Sequence, residues 1–258
     1  MNSIQNPGRK KFASLSKSEC ANEYISILAN SDQCWASGEY LAEKNDYGRA
    51  MSLAIISVEE LIKCIVIFLD SKGFRFRQIK GIGVIFKTHQ IRYIVAFVMF
   101  CFTIFGDDLL RFLQKTFKPD KKTNAEELKA LLSDKKKLEK QASAYTLRKI
   151  VQISKEIVWF SKVDVLRQNG FYCDYDQQLV NPVHINETAY LEVKLKLSAV
   201  RFFGKQFMEI ANNEAHAEVN YLLNEFNDKN LYQKIEALLA KHKGNNLFEL
   251  IEKKISRN

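Results

Sequence analysis

The segment from Asp46 to Lys63 (DYGRAMSLAIISVEELIK) predicts a helix that is apolar on almost every side. A helix of this kind is normally buried in a protein core. The segment nevertheless carries Glu59, Glu60 and Lys63 within about one turn. Because a lone buried charge is very costly, these three side chains must be paired or put to use. Helical geometry places Lys63 between the two glutamates, so we expect one compact charged patch.

Helix breakers are scarce in this chain of 258 residues, which has 10 Gly and 3 Pro. The scarcity favours long helices over many short strands. A capping box at Ser16 and Glu19 and an N-cap at Asp46 mark two helix starts. Long helices are predicted from the Ser16 cap to about 44, and at about 46–72, 86–117, 142–167 and 186–213. The predicted fold class is therefore all-α, a bundle of long antiparallel helices.

The domain organisation is less sharply marked, because no linker divides the chain cleanly. We expect a polar N-terminal tail at 1–17 and a helical bundle at 18–213. A Lys-rich helical insert is predicted at 118–141, and a helical C-terminal appendage at 214–258. The tail lacks the apolar stretch of a secretory signal. The segment at 170–183, which contains Pro182, is predicted to be non-helical.

The net charge, the cysteines and the hydropathy restrict the class of partner and the cellular location that the sequence predicts. The net charge of +9 suits an anionic partner, most simply nucleic acid, although a solvated Lys-rich helix face would give the same balance. Five scattered cysteines without a Cys-x-x-Cys pair or a Cys/His cluster predict reduced thiols in a cytoplasmic protein and no structural zinc site. The apolar run at 93–106 is shorter than the roughly 20 residues of a membrane span, so it predicts a buried core helix.

Three sequence blocks follow one another in a characteristic order. They are Tyr47-Gly-Arg-Ala50 with Ala54 and Glu59-Glu-Leu-Ile-Lys63, then His89-Gln-Ile-Arg92, then Gly170-Phe-Tyr-Cys-Asp174 with Pro182. With these blocks, residues 20–212 resemble the AbiV family of bacterial abortive infection proteins, within the wider group of HEPN domains. The resemblance implies a HEPN-like α-helical bundle, often a homodimer, that serves antiphage defence.

Many HEPN domains are metal-independent ribonucleases, so the resemblance implies a ribonuclease toxin that cleaves RNA, needs no cofactor and arrests growth or translation. Such domains typically use an R-x(4–6)-H motif. None of the four histidines here has an arginine upstream at that spacing. The order is reversed instead, with His89 before Arg92, which resembles the AbiV subgroup.

Metal-free RNA cleavage needs a base for the ribose 2′-hydroxyl, a cation for the phosphorane charge and an acid for the leaving oxygen. Histidine suits the first or third task, and arginine or lysine suits the second. A carboxylate can orient the histidine. The predicted catalytic residues are His89, Arg92 and Glu60, with Glu59 and Lys63 in support and Arg75, Arg77, Lys80 and Lys87 contacting RNA.

Other interpretations are open on the sequence alone. Glu59 and Lys63, four residues apart, also form a standard helix-stabilising pair, and His89 is equally compatible with an ordinary surface histidine near a helix start. The alternative function is a non-catalytic interaction protein that binds a phage protein or the translation machinery. A third hypothesis is membrane disruption by 93–106. The expected partners are RNA, a second copy of the chain and a phage-encoded activator or target, with no membrane.

Overall fold

The computed structural model describes residues 14–74, 82–116, 155–176 and 178–212, with single positions at 76, 79, 153 and 233. The described part is almost entirely helical. Its helices are α1 (Lys17–Glu43), α2 (Tyr47–Ser71), α3 (Val84–Lys87), α4 (His89–Thr116), α5 (Val163–Asn169) and α6 (Glu187–Asn212). Residues 155–161 are also helical. The all-α fold that the sequence predicts is therefore confirmed, whereas the expectations for 118–141 and, apart from the single helical position 233, for 214–258 lie outside the described residues.

Local signals set the ends of the first two helices. The Ser16 side chain accepts from the backbone N–H of Glu19 at 3.1 Å, and the Glu19 carboxylate accepts from the backbone N–H of Ser16 at 2.7 Å. Asp46 caps α2. Gly73, with φ +98°, ends α2 in the left-handed conformation that glycine adopts at little cost. The predicted boundaries of both helices are confirmed, and the helices pack against each other as a hairpin.

The region at 84–116 differs from the single helix that the sequence predicts. The helical conformation is interrupted at position 88, so α3 ends at Lys87 and His89 is the first residue of α4. In a continuous helix the carbonyl of Ile85 would accept from the backbone four residues later. Here the carbonyl accepts from Arg92 Nη1 at 2.8 Å. The Arg92 side chain thus provides the hydrogen bond that a backbone carbonyl of α3 lacks. Hydrophobic periodicity does not predict this interruption of the helix.

The non-helical segment after α5 contains a short hairpin. Strands β1 (Asp174–Asp176) and β2 (Gln178–Val180) pair antiparallel, with Tyr175 opposite Leu179. A 3-10 helix, Pro182–His184, leads into α6. The sequence predicts a non-helical segment at 170–183. Among its described residues the hairpin agrees with this prediction, whereas the 3-10 helix that begins at Pro182 does not, and the pairing of the two strands is not predicted.

Helix α2 lies at the centre of the bundle and contacts α1, α4, α5 and α6. Most of its residues are buried, as its apolar pattern predicts. Apolar residues of α4, including Tyr93, Ala96 and Phe100, pack against it and belong to the same core. In the ranges that the structure describes, no helix has the length and apolar character needed to cross a membrane.

The backbones of α2 and of the turn after α5 are in direct contact. A Cβ on Gly170 would lie 2.1 Å from Ser52 Oγ and 2.3 Å from the carbonyl oxygen of Gly48. A Cβ on Gly48 would lie 2.5 Å from the carbonyl oxygen of Pro182. Glycine is needed at both positions because any side chain would collide. Residues from the first and third sequence blocks therefore meet at one place in the fold.

A polar junction joins α1, α2 and α6. The Ser31 hydroxyl donates to the Ser57 carbonyl, and the Ser57 hydroxyl donates to the Ser31 carbonyl, each at 2.7 Å. Arg201 of α6 donates to the Ser31 hydroxyl at 2.8 Å and to an Asp32 carboxylate oxygen at 2.5 Å. Lys205 lies 2.7 Å from the same oxygen. The junction satisfies the buried polar groups that tie the three helices together.

We expect Asp32 to make part of the stability depend on pH. Burial alone would raise the pKa of Asp32, but hydrogen bonds from Lys205 and Arg201 outweigh it and lower the pKa. Such a carboxylate stabilises the fold above its unfolded-state pKa of about 3.9, and the stabilisation is lost as the pH falls through the folded-state pKa. The melting temperature of wild type should exceed that of Asp32→Asn at pH 7. An equal difference at pH 7 and pH 3 would contradict this expectation.

Candidate active site

The buried carboxylate of Glu59 is the centre of a polar cluster between α2, α4 and α5. Its side chain is 4% exposed. His89 Nδ1 lies 2.8 Å from both carboxylate oxygens. Arg92 Nη2 donates to Oε2 at 2.9 Å, and the Tyr93 hydroxyl donates to Oε1. Three donors from the first two turns of α4 therefore converge on one carboxylate.

Arg92 supplies the compensating charge for Glu59. Its side chain is 3% exposed, and both terminal nitrogens are used, Nη2 by Glu59 and Nη1 by the carbonyl of Ile85. Its Nε is buried, with no hydrogen-bond partner among the described residues. The guanidinium is therefore held in place within the protein and turned away from solvent.

His89 is the exposed member of the cluster, with 40% of its side chain accessible. Because an ionised carboxylate only accepts hydrogen bonds, the contacts with Glu59 require a proton on Nδ1, whereas a hydrogen bond from Arg92 Nη2 would require Nδ1 to accept. We assign the proton to Nδ1, since both carboxylate oxygens lie 2.8 Å from it. Nδ1 is also 2.6 Å from Arg92 Nη2, which donates to the same carboxylate. The ring stacks on that of Tyr93 with centroids 6.5 Å apart. Nε2 is consequently the nitrogen that remains for a substrate.

Helix α5 adds a second ion pair at the edge of the cluster. Arg167 Nη2 donates to Asp164 Oδ1 at 2.8 Å, and Arg167 Nε lies 3.6 Å from Glu59 Oε1. The Tyr93 hydroxyl is 3.5 Å from Asp164 Oδ1. Burial, together with the charge of Glu59, raises the pKa of Tyr93 far above its usual value, so the phenol stays neutral and can donate.

Glu60 and Lys63 form a separate pair. Lys63 Nζ donates to Glu60, and both side chains are about four-fifths buried. Burial raises the pKa of Cys34 in α1, and the negative charge of Glu60 adds to this rise, which shows that Glu60 lies near α1. Glu59 instead faces α4 and α5. The single patch predicted from helix geometry is therefore wrong: α2 carries two pairs on different faces, and the carboxylate beside His89 is Glu59.

The structure brings His89 and Arg92 together with Glu59, which was predicted in a supporting role, while Glu60, the predicted catalytic carboxylate, pairs with Lys63 instead. The roles assigned to these residues stay predictions. Lys87 is exposed at the end of α3, and the other predicted RNA contacts, Arg75, Arg77 and Lys80, lie outside the described residues.

Sequence reasoning did not identify Tyr93, Asp164 or Arg167 as site residues. The position of Tyr93 could have been predicted, because Tyr93 follows His89 by four residues and so lies on the same helix face. Asp164 and Arg167 form an i, i+3 pair, but only the packing of α5 against α2 places that pair beside Glu59.

The cluster combines a partly exposed histidine, a buried carboxylate and two arginines. These groups suit proton transfer and contact with an anion. Over the part of the chain that the structure describes, His, Cys, Asp and Glu side chains do not gather into a group of three or more that could hold a metal ion.

The fold and this cluster define an all-α protein of the HEPN type. The HEPN_AbiV family model, described as AbiV, matches residues 19–201 and so includes every residue of the cluster. The chain therefore belongs to the AbiV family of abortive infection proteins. No curated protein and no solved structure matches the chain.

Proposed function

We propose that this chain is a metal-independent endoribonuclease that acts as a toxin in abortive infection. The observation that carries the proposal is the contact between His89 and Glu59. A buried carboxylate holds Nδ1, while two fifths of the imidazole side chain stays accessible. A carboxylate that orients a histidine and fixes its tautomer is a common arrangement for general acid–base catalysis.

In the proposed reaction, Nε2 of His89 takes the proton from a ribose 2′-hydroxyl. The 2′ oxygen then attacks the adjacent phosphorus and the bond from phosphorus to the 5′ oxygen breaks. The departing 5′ oxygen takes up a proton from solvent, the His89 imidazolium later returns its proton to solvent, and the products are a 2′,3′-cyclic phosphate and a 5′-hydroxyl. Glu59 stabilises the imidazolium that forms, and Arg92 acts as a positioning residue because it is buried against Glu59. No step requires a metal.

His89→Ala tests the proposal in cells. We expect expression of the wild-type chain to arrest growth and degrade RNA, and His89→Ala to lose this effect, because general acid–base catalysis contributes about 10²–10⁴-fold to rate. His184→Ala is the matched control, since His184 is an exposed histidine in the 3-10 helix. Growth curves and RNA integrity are the measurements. If both variants are as toxic as wild type, the assignment of His89 fails.

A second candidate is a non-catalytic interaction protein that binds a phage protein or the translation machinery. The burial of Arg92 and Glu59 favours it, because an ion pair of this kind can fix helix register without doing chemistry. Purified protein that leaves RNA intact but co-purifies with one partner in a fixed ratio would support this candidate. Clean RNA cleavage by the isolated chain would count against it.

We also propose that the chain forms a homodimer, which an exposed apolar surface on α6 supports. Leu191, Leu195 and Phe202 form an exposed apolar stripe along α6, with 49%, 75% and 65% of each residue accessible. Residues spaced by four and seven share one helix face. Light scattering of the purified protein tests this assembly, and a monomer at all concentrations would contradict it.

A further inference from the structure

Arg92 is poorly placed to contact a substrate phosphate. Its side chain is 3% exposed, and its terminal nitrogens donate to Glu59 and to the carbonyl of Ile85. Turning it toward a ligand would leave the carboxylate of Glu59 buried without its compensating charge, which is strongly unfavourable. If the cluster acts on RNA, another cation must meet the phosphate.

We propose that Arg167 is the cation that contacts the scissile phosphate beside His89, an inference that rests on the proposed function. Arg167 Nε lies 3.6 Å from Glu59 Oε1, and His89 Nδ1 lies 2.8 Å from the same oxygen. The two side chains come from different helices and flank one carboxylate. Arg167 keeps 16% of its side chain exposed and His89 keeps 40%. Each therefore keeps part of its side chain accessible beside the same carboxylate.

Asp164 orients the guanidinium of Arg167 in advance. Its Oδ1 accepts from Nε at 3.2 Å and from Nη2 at 2.8 Å, and Gln168 donates to its other oxygen at 3.0 Å. The two hydrogen bonds that Arg167 donates to Asp164 use only part of the five N–H groups of its guanidinium. A planar fork held in this way matches the geometry of phosphate oxygens. Arg167 would stabilise the charge that develops as the 2′ oxygen attacks.

Binding of a non-cleavable RNA tests the contact directly. The probe is a single-stranded oligonucleotide with 2′-O-methyl groups, which lack the attacking hydroxyl. Each phosphate contact to a single strand contributes about 0.7 to the slope of log affinity against log salt concentration. We expect Arg167→Gln to reduce the slope by about that amount.

Arg49→Gln is the matched control for this measurement. Arg49 also pairs with an aspartate three residues before it, Asp46, at 2.5 Å, and is 57% exposed. The substitution removes the same charge about 15 Å along α2 from Glu59. We expect the control to keep the wild-type slope. Equal slopes for Arg167→Gln and Arg49→Gln would overturn the inference.

Cleavage of unmodified RNA gives the second readout. Loss of one donor to a developing oxyanion typically lowers kcat by about 10²–10³-fold, and we expect Arg167→Gln to show a loss of this size. Arg167→Lys keeps the charge but not the fork, so its salt slope should stay while its kcat falls. A lysine variant with wild-type kcat would contradict the role of the fork. If wild type itself does not cleave RNA, the proposed function fails, and the salt slope still decides whether Arg167 contacts phosphate.

Discussion

Replacement of Glu59 by glutamine should lower the free energy of unfolding by about 3–5 kcal/mol, the usual cost of removing one partner from a buried ion pair. The side chains of Glu59 and Arg92 are 4% and 3% exposed. The amide keeps the shape of the carboxylate and one acceptor oxygen, but it removes the charge that compensates Arg92. The guanidinium would then be buried next to a neutral group.

Glu60→Gln is a control that differs by one position along α2. Glu60 pairs with Lys63, and each side chain keeps about a fifth of its surface in solvent. We expect this substitution to cost about 1 kcal/mol or less, as for partly solvated pairs. Urea denaturation of both variants measures the difference. An equal loss of stability for the two variants, or a larger loss for Glu60→Gln, would contradict the assignment of Glu59 as the buried carboxylate that compensates Arg92.

Replacement of Gly170 by alanine should destabilise the protein by about 3 kcal/mol, at the upper end of typical overpacking costs. The new Cβ would lie 2.1 Å from Ser52 Oγ and 2.3 Å from the carbonyl oxygen of Gly48. The serine hydroxyl could rotate away, although it would lose its hydrogen bond to the carbonyl of Arg167 at 2.7 Å. The Gly48 carbonyl belongs to the backbone of α2, so relief there requires the helices to separate.

Gly106→Ala should stabilise the protein, whereas Gly170→Ala should destabilise it. Gly106 lies inside α4, and a Cβ there would meet no atom of the described residues within 4 Å. Alanine in a helix interior is more favourable than glycine by roughly 0.5–1 kcal/mol, so this variant should melt at a higher temperature. Thermal unfolding of the two variants provides the comparison. A stable Gly170→Ala variant would mean that the contact between the two backbones is looser than described.

The ends of the first two helices followed from local sequence signals, and the arrangement of the site did not. The Ser16 and Asp46 caps and Gly73 act within a few residues, so they could be recognised in the sequence and fixed the ends of α1 and α2. The apolar pattern of α2 likewise predicted its central position. Both kinds of inference depend on the chain's local preferences, which the packing here does not override.

The identity of the buried carboxylate depended on tertiary packing instead. Glu59 and Glu60 differ by about 100° around the helix axis, and only the position of α4 decides which one meets His89. The break at position 88 has a similar origin, because Arg92 satisfies a carbonyl that regular helix periodicity assigns to the backbone. Arg167 joins the cluster through the packing of α5. None of these three features produces a hydrophobic periodicity or a sequence motif from which it could be predicted.

Cleavage of RNA by the purified chain tests the central claim most directly. The reaction should contain a chelator and a single-stranded RNA, with a second RNA that carries 2′-deoxyribose at the cleaved position. We expect a 2′,3′-cyclic phosphate and a 5′-hydroxyl from the first RNA, no cleavage at that position in the second, and a rate about 10²–10⁴-fold lower for His89→Ala. An intact first RNA, or equal rates for wild type and His89→Ala, would contradict it.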